Sequence, residues 1–165
     1  MSILRGLDAF FFGHVDYAVD SRYSLEEAVR RVGAIVRPLS WSLVPATGLY
    51  GQVTPGSVTI HRVVAMYRNS FKPYFFGRFV ATPAGVRLEG VFTEHWLAKI
   101  FLLFWVTSTS IVPFNLLTLA PQLVGPSLLL FLMPVFGLVV NFVGRRMASG
   151  DVGTIAAALD AALGA

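Results

Sequence analysis

The chain has 165 residues, of which 55% are hydrophobic and 13% charged, about half the charged share of a soluble domain. A mean hydropathy of +0.68 argues against an ordinary water-soluble globule, a disordered tail and a coiled coil alike. It has no cysteine, which excludes disulfides, thiolate metal sites, iron–sulfur clusters and cysteine nucleophiles.

The net charge of +4 is unevenly placed. Residues 1–99 hold eleven of the bases and seven of the acids, and residues 100–144 hold no charge of either sign. The remaining charges are Arg145, Arg146, Asp151 and Asp160. Bases flanking an uncharged run are the pattern that orients a membrane segment, so the basic balance does not read as a nucleic-acid footprint.

In residues 1–13, Ile3, Leu4, Leu7, Phe10 and Phe11 recur at helical spacing. They predict a short amphipathic helix lying on the bilayer or on the protein itself. Asp8 interrupts that stretch and no small-residue cleavage site follows, so a cleavable signal peptide is not expected.

A strand is predicted near residues 12–19. Next comes Ser24-Leu25-Glu26-Glu27, a capping-box pattern in which the serine accepts from the amide three residues on and Glu27 reaches back. Leu25, Ala28, Val29, Val32, Ile35 and Val36 form an apolar stripe, which predicts a helix over about 25–36 that ends near Pro38.

From about Trp41 the apolar period changes to two. Strands are predicted over 57–67, 74–82 and 86–92, separated by the turn sequences Thr54-Pro55-Gly56-Ser57 and Thr82-Pro83-Ala84-Gly85. The expectation is a four-stranded antiparallel meander with one amphipathic helix, an α+β cytoplasmic domain over residues 1–95. Its sheet is rich in aromatic residues. Tyr74 and Phe76 alternate with Phe75 and Phe79, so large apolar groups, Phe92 among them, fall on both faces. These five residues form either a packing face or a face for an apolar ligand.

As one helix, residues 100–144 would be roughly 68 Å long, more than twice a hydrocarbon core of about 30 Å. Pro121, Gly125 and Pro126 break the run near its middle. Residues 96–143 therefore predict a two-helix transmembrane hairpin, with spans at about 96–120 and 127–143. Thr107, Ser108, Thr109 and Ser110 precede Pro113, with Asn115 just beyond. Their side chains either bond back to carbonyls of their own helix, or Thr107, Ser110 and Asn115 meet Asn141 or another subunit across an interhelical contact. Trp96, Lys99, Arg145 and Arg146 read as membrane-interface anchors. Flanking charge puts both termini in the cytoplasm, and arginine-heavy usage with abundant Ala, Gly and Val suggests a bacterial inner (plasma) membrane, multi-pass. Residues 144–165 predict a cytoplasmic tail helix capped by Asp151, with Ile155, Leu159 and Leu163 on one face.

Catalytic signatures are missing. The histidines His14, His61 and His95 stand in no metal-binding spacing, and the sequence holds no nucleophile elbow, P-loop or dinucleotide fingerprint. No catalytic residue, cofactor or metal is expected. Arg62, Arg68, Lys72 and Arg78 interleave with aromatics, a combination assigned to lipid headgroups and not to nucleic acid. The leading expectation is a non-enzymatic membrane scaffold or interaction subunit, whose partners are the lipid bilayer and another membrane protein or a second copy. The alternatives are binding or transfer of a lipid or other apolar ligand by the aromatic sheet, then a membrane enzyme built on Glu94, His95 and His61.

Overall fold

The computed structural model describes residues 13–38, 46–66, 70–119, 122 and 124–164. Ile3, Leu4, Leu7, Phe10 and Phe11 of the amphipathic segment expected in residues 1–13, the start of the meander at Trp41, and Arg68 lie outside the described residues.

Strand β1 (Val15–Ser21) leads into helix α1 (Leu25–Ile35). The Ser24 hydroxyl accepts from the Glu27 amide at 3.3 Å, as the capping pattern requires. The other half of the box does not form. Glu27 instead accepts from Arg30 and Arg31, at 2.7 and 2.6 Å, because bases one turn along the helix compete for its carboxylate. The next strands are β2 (Val36–Arg37), β3 (Gly48–Val53), β4 (Val58–Val63), β5 (Pro73–Thr82) and β6 (Gly85–Glu94). They form one six-stranded sheet in the order β1-β6-β5-β4-β3-β2.

The meander from β3 to β6 is antiparallel, and β1 pairs antiparallel with β6. The sheet is nevertheless mixed, not wholly antiparallel. After crossing one face as α1, the chain returns as β2, which pairs parallel with β3 at Val36↔Leu49 and Arg37↔Tyr50. Val36 is buried there, so the short pairing is held by the core beneath it. At the β5–β6 turn, Gly85 has φ +146°, and a Cβ on it would collide with the Ser21 carbonyl of β1.

The core lies on one face of the sheet. Val58, Ile60, Phe75, Phe79, Leu88 and Phe92 meet Ala28 and Val32 of α1. Each fully buried Ile, Leu or Phe contributes roughly 1.5–3 kcal/mol. Phe75 needs two glycines: Gly77 pairs with Gly90, and a Cβ on either would stand 2.5 or 2.8 Å from its ring. The bare backbone there is roofed by the aromatic ring.

Beyond His95 the chain forms α2 (Trp96–Leu119), α3 (Val124–Leu130), α4 (Leu132–Met147) and α5 (Ser149–Leu163). Helix α2 packs against α3 and α4. The second apolar segment is divided at Phe131, a break that sequence reasoning did not anticipate. Pro134 has no N–H to donate to the Leu130 carbonyl, and the Phe131 amide tightens onto Leu128 O at 3.2 Å instead. Helix α5 completes the core with Ile155, Leu159 and Leu163, all essentially inaccessible to solvent. Asp151 does not cap it. Helix α5 starts at Ser149, and Asp151 binds Arg62 of β4 at 2.9 Å. Two more bonds fix the helix to β1: Tyr17 Oη donates to Asp160 Oδ1 at 2.6 Å, and Ser21 Oγ to Leu163 O at 2.8 Å.

Two helices are long and apolar enough to cross a membrane. Trp96–Leu119 has a peak mean hydropathy of 1.8, and the run Ser127–Leu163 reaches 2.2. The second run includes α5, whose apolar face is already committed to the core.

Candidate functional site

Trp96, Lys99, Arg145 and Arg146, the residues expected from the sequence as membrane-interface anchors, gather at one end of the helical pair. Trp96 and Lys99 lie in the first turn of α2, and Arg145 and Arg146 in the last turn of α4, where cations also complement the helix dipole. Trp96 and Arg146 are exposed, Lys99 and Arg145 half-buried. Arg145 does not simply reach for solvent. Its Nε stands 3.5 Å from Glu94, whose side chain is only 2% exposed. Gly13, at φ +68°, lies against the same guanidinium, and a Cβ there would come within 2.9 Å of it. The last residue of the sheet's final strand is thus joined to the end of α4.

Beside this ion pair is a cleft of about 860 Å³ between the rim of the sheet and the flank of α4. That is ample for a small amphiphile. One wall comes from Val135, Leu138, Val139 and Phe142 of α4; Phe71, Pro73 and Phe92 face it from the sheet side. Glu94, Arg145, Arg146, Thr93, Ser149 and the buried Asn141 supply the polar lining. The apolar wall does not end inside the cleft: Val135, Val139 and Phe142 are all more than half exposed and continue onto the outer surface of α4.

The five aromatic residues read from the sequence do not form one face. Phe75, Phe79 and Phe92 are buried in the core beneath α1 and α5. Tyr74 and Phe76 lie on the opposite face, stacked 6.0 Å apart. There Tyr50, His61, Tyr74 and His95 form a row, with successive ring separations of 6.5, 4.5 and 5.1 Å. Burial pushes the His61 imidazole down to about 4, and electrostatic repulsion from Lys72 and His95 adds to the effect. Burial also lowers Lys72 and raises the Tyr74 phenol. Glu94 does not join His61 and His95: its carboxylate lines the cleft with Arg145. Among the described residues, no group of three His, Asp or Glu side chains could hold a metal ion.

Of the basic residues interleaved with aromatics, Arg62 pairs with Asp151, Arg78 pairs with Glu89 at 3.0 Å, and Lys72 donates to the Arg62 carbonyl at 3.2 Å. Within α2, Asn115 donates to Ile111 O at 2.8 Å, and Ser108 and Thr109 bond back to Phe104 O and Trp105 O at 2.6 Å. Thr107 is exposed and Ser110 half-buried. Trp105 also joins α2 to α4: its indole N–H donates to Met133 O at 3.2 Å.

No protein-family model matches the sequence, and comparisons with curated proteins and with solved structures return no match.

Proposed function

We propose that the chain is an integral membrane protein of the bacterial inner membrane whose cytoplasmic α+β domain binds an amphiphile in the cleft beside α4. In this reading α2 and the α3–α4 pair cross the bilayer as a hairpin, and both termini face the cytoplasm. Membrane insertion is supported by burial as well as composition. Only 11% and 17% of the most apolar windows of the two helices are buried inside the protein, so their Phe and Leu side chains point outward. A water-soluble fold hides such helices, whereas hydrocarbon solvates them.

The single observation behind the binding role is the cleft's apolar wall, continuous with the exposed side of α4. A lipid could enter sideways from the leaflet without crossing water. The ligand face therefore shifts from the aromatic sheet to the junction between sheet and helices.

Protein purified from membranes in mild detergent should retain a lipid in its native mass spectrum. Leu138→Trp, which fills the cleft, should release it. Wild-type protein carrying no lipid under conditions that preserve its fold would end this reading.

A scaffold role is favoured by a separate observation. Strand β6 enters α2 through His95 alone, and α5 runs from α4 into the domain core, so the domain is fixed to the hairpin at both ends. Such a mount would present the sheet to a second membrane protein or another copy at a set orientation. Crosslinking in native membranes that yields only the monomer would remove this second reading.

A further inference from the structure

Building on the amphiphile-binding reading, we infer that the occupant of the cleft is a phospholipid of net negative charge, its phosphate held at Arg145 and Arg146. Among the described residues, three charged side chains line the cleft: Glu94, Arg145 and Arg146. Glu94 is 3% exposed and faces Arg145, so its charge is offset within the protein. Arg146 is exposed and enters no ion pair found among the described residues. Summed over these described side chains, the mouth carries one surplus positive charge, on Arg146. An anionic headgroup matches it, whereas a zwitterionic headgroup brings its own cation to the same place. Guanidinium groups suit phosphate in particular, because their planar N–H fork meets two oxygens at once.

The apolar subsite lies on the same helix as the arginines. From Val135 through Leu138 and Phe142 to Arg145 is about 15 Å along α4, at 1.5 Å per residue. Polar and apolar contacts are therefore stacked in the order in which a lipid presents its phosphate and its acyl chain along the bilayer normal. A soluble anion would engage the arginines and leave the apolar wall bare. An uncharged hydrocarbon would cover the wall and leave the surplus charge unmet. The lipid satisfies both.

The test uses the full-length protein in nanodiscs of phosphatidylcholine with phosphatidylglycerol as the minor component. Lipid retained after transfer to mild detergent is read by native mass spectrometry. Phosphatidylglycerol should be enriched over its share of the disc, and Arg146→Gln should cut that enrichment roughly tenfold while a lipid is still retained. Arg146→Lys should keep part of the preference. Arg146 is exposed, so its variants should fold, and circular dichroism checks that they do.

Retention of both lipids in proportion to the disc, with Arg146→Gln silent, would overturn the headgroup assignment and leave the amphiphile reading standing. No retained lipid at all would remove both. A third arm adds inorganic phosphate to delipidated protein. If phosphate alone raises the unfolding temperature as much as phosphatidylglycerol does, the ligand is a soluble anion and the inference fails.

Discussion

Trp105 of α2 lies directly against Gly137 of α4, so close that a Cβ on the glycine would stand 2.5 Å from the indole Cδ1. The indole N–H reaches Met133 O one turn away, joining the helices by packing and by a hydrogen bond. Gly137→Ala should push the helices apart and destabilise the protein by roughly 1–3 kcal/mol, measured by thermal unfolding in detergent. Adding Trp105→Leu should restore part of the loss, because the smaller side chain leaves room for the new methyl. A loss in the double variant equal to the sum of the two single losses would show that the residues are not coupled.

Tyr17 and Asp160 carry the contact between β1 and α5. Tyr17→Phe removes a 2.6 Å bond to a carboxylate and should cost roughly 1–2 kcal/mol in denaturant unfolding. The pair also predicts a pH dependence. Burial, then the hydrogen bond and charge of Asp160, raises the phenol above its usual 10. The folded state therefore favours the protonated tyrosine. Its contribution is fully present below pH 10 and fades as pH rises beyond that value. In Tyr17→Phe the alkaline decline in stability should be shallower than in the wild type, and identical slopes would contradict the assignment.

His61 works in the opposite pH range. Its folded value of about 4 lies below the usual 6.5, so the unfolded chain takes up a proton first as the solution is acidified. The contribution is present above pH 6.5 and is lost as pH falls toward 4, amounting to roughly 3 kcal/mol at most. His61→Phe, which fits the row between Tyr50 and Tyr74, should remove much of that acid sensitivity. Lys72 and His95 face the same ring and resist its protonation, so Lys72→Met should narrow the sensitive range. An unchanged acid limb in both variants would place the sensitivity elsewhere.

What the sequence revealed was what repeats locally. Ala28 and Val32 at helical spacing, Val86, Leu88 and Phe92 at alternate positions, and Ile155, Leu159 and Leu163 at four-residue steps each announce a buried face, and each is buried. The features that escaped depend on partners distant in the chain. Two residues of β2 have no period to detect, and their parallel pairing exists only because α1 delivers them to the edge of β3. Asp151 looks like a cap until Arg62 is brought beside it by the sheet. The cleft was illegible for the same reason. Glu94 and Arg145 each sit in an unremarkable local context, and only the return of α4 toward the end of β6 makes them a pair. Pro134 was legible in principle, since a proline three residues into a helix forbids a continuous ladder from the preceding turn.

The membrane reading predicts that Gln122 and the sheet lie on opposite sides of a bilayer. The absence of native cysteine makes this directly measurable, because any single introduced thiol is the only one that reacts. Gln122 is exposed between α2 and α3; Ser57 is exposed in the β3–β4 turn, and Ala161 on the outer face of α5. A membrane-impermeant maleimide applied to intact spheroplasts should label Gln122→Cys and leave Ser57→Cys and Ala161→Cys untouched until the membrane is opened. Labelling of all three from one side would mean that α2 and α4 do not cross. Their outward Phe and Leu side chains would then have to be covered by protein, and the entry path proposed for a lipid would be lost with the hairpin. Labelling of Ser57 and Ala161 from outside, with Gln122 protected, would keep the crossing but invert it, placing the domain outside the cytoplasm against the bias of Arg145, Arg146 and Lys99.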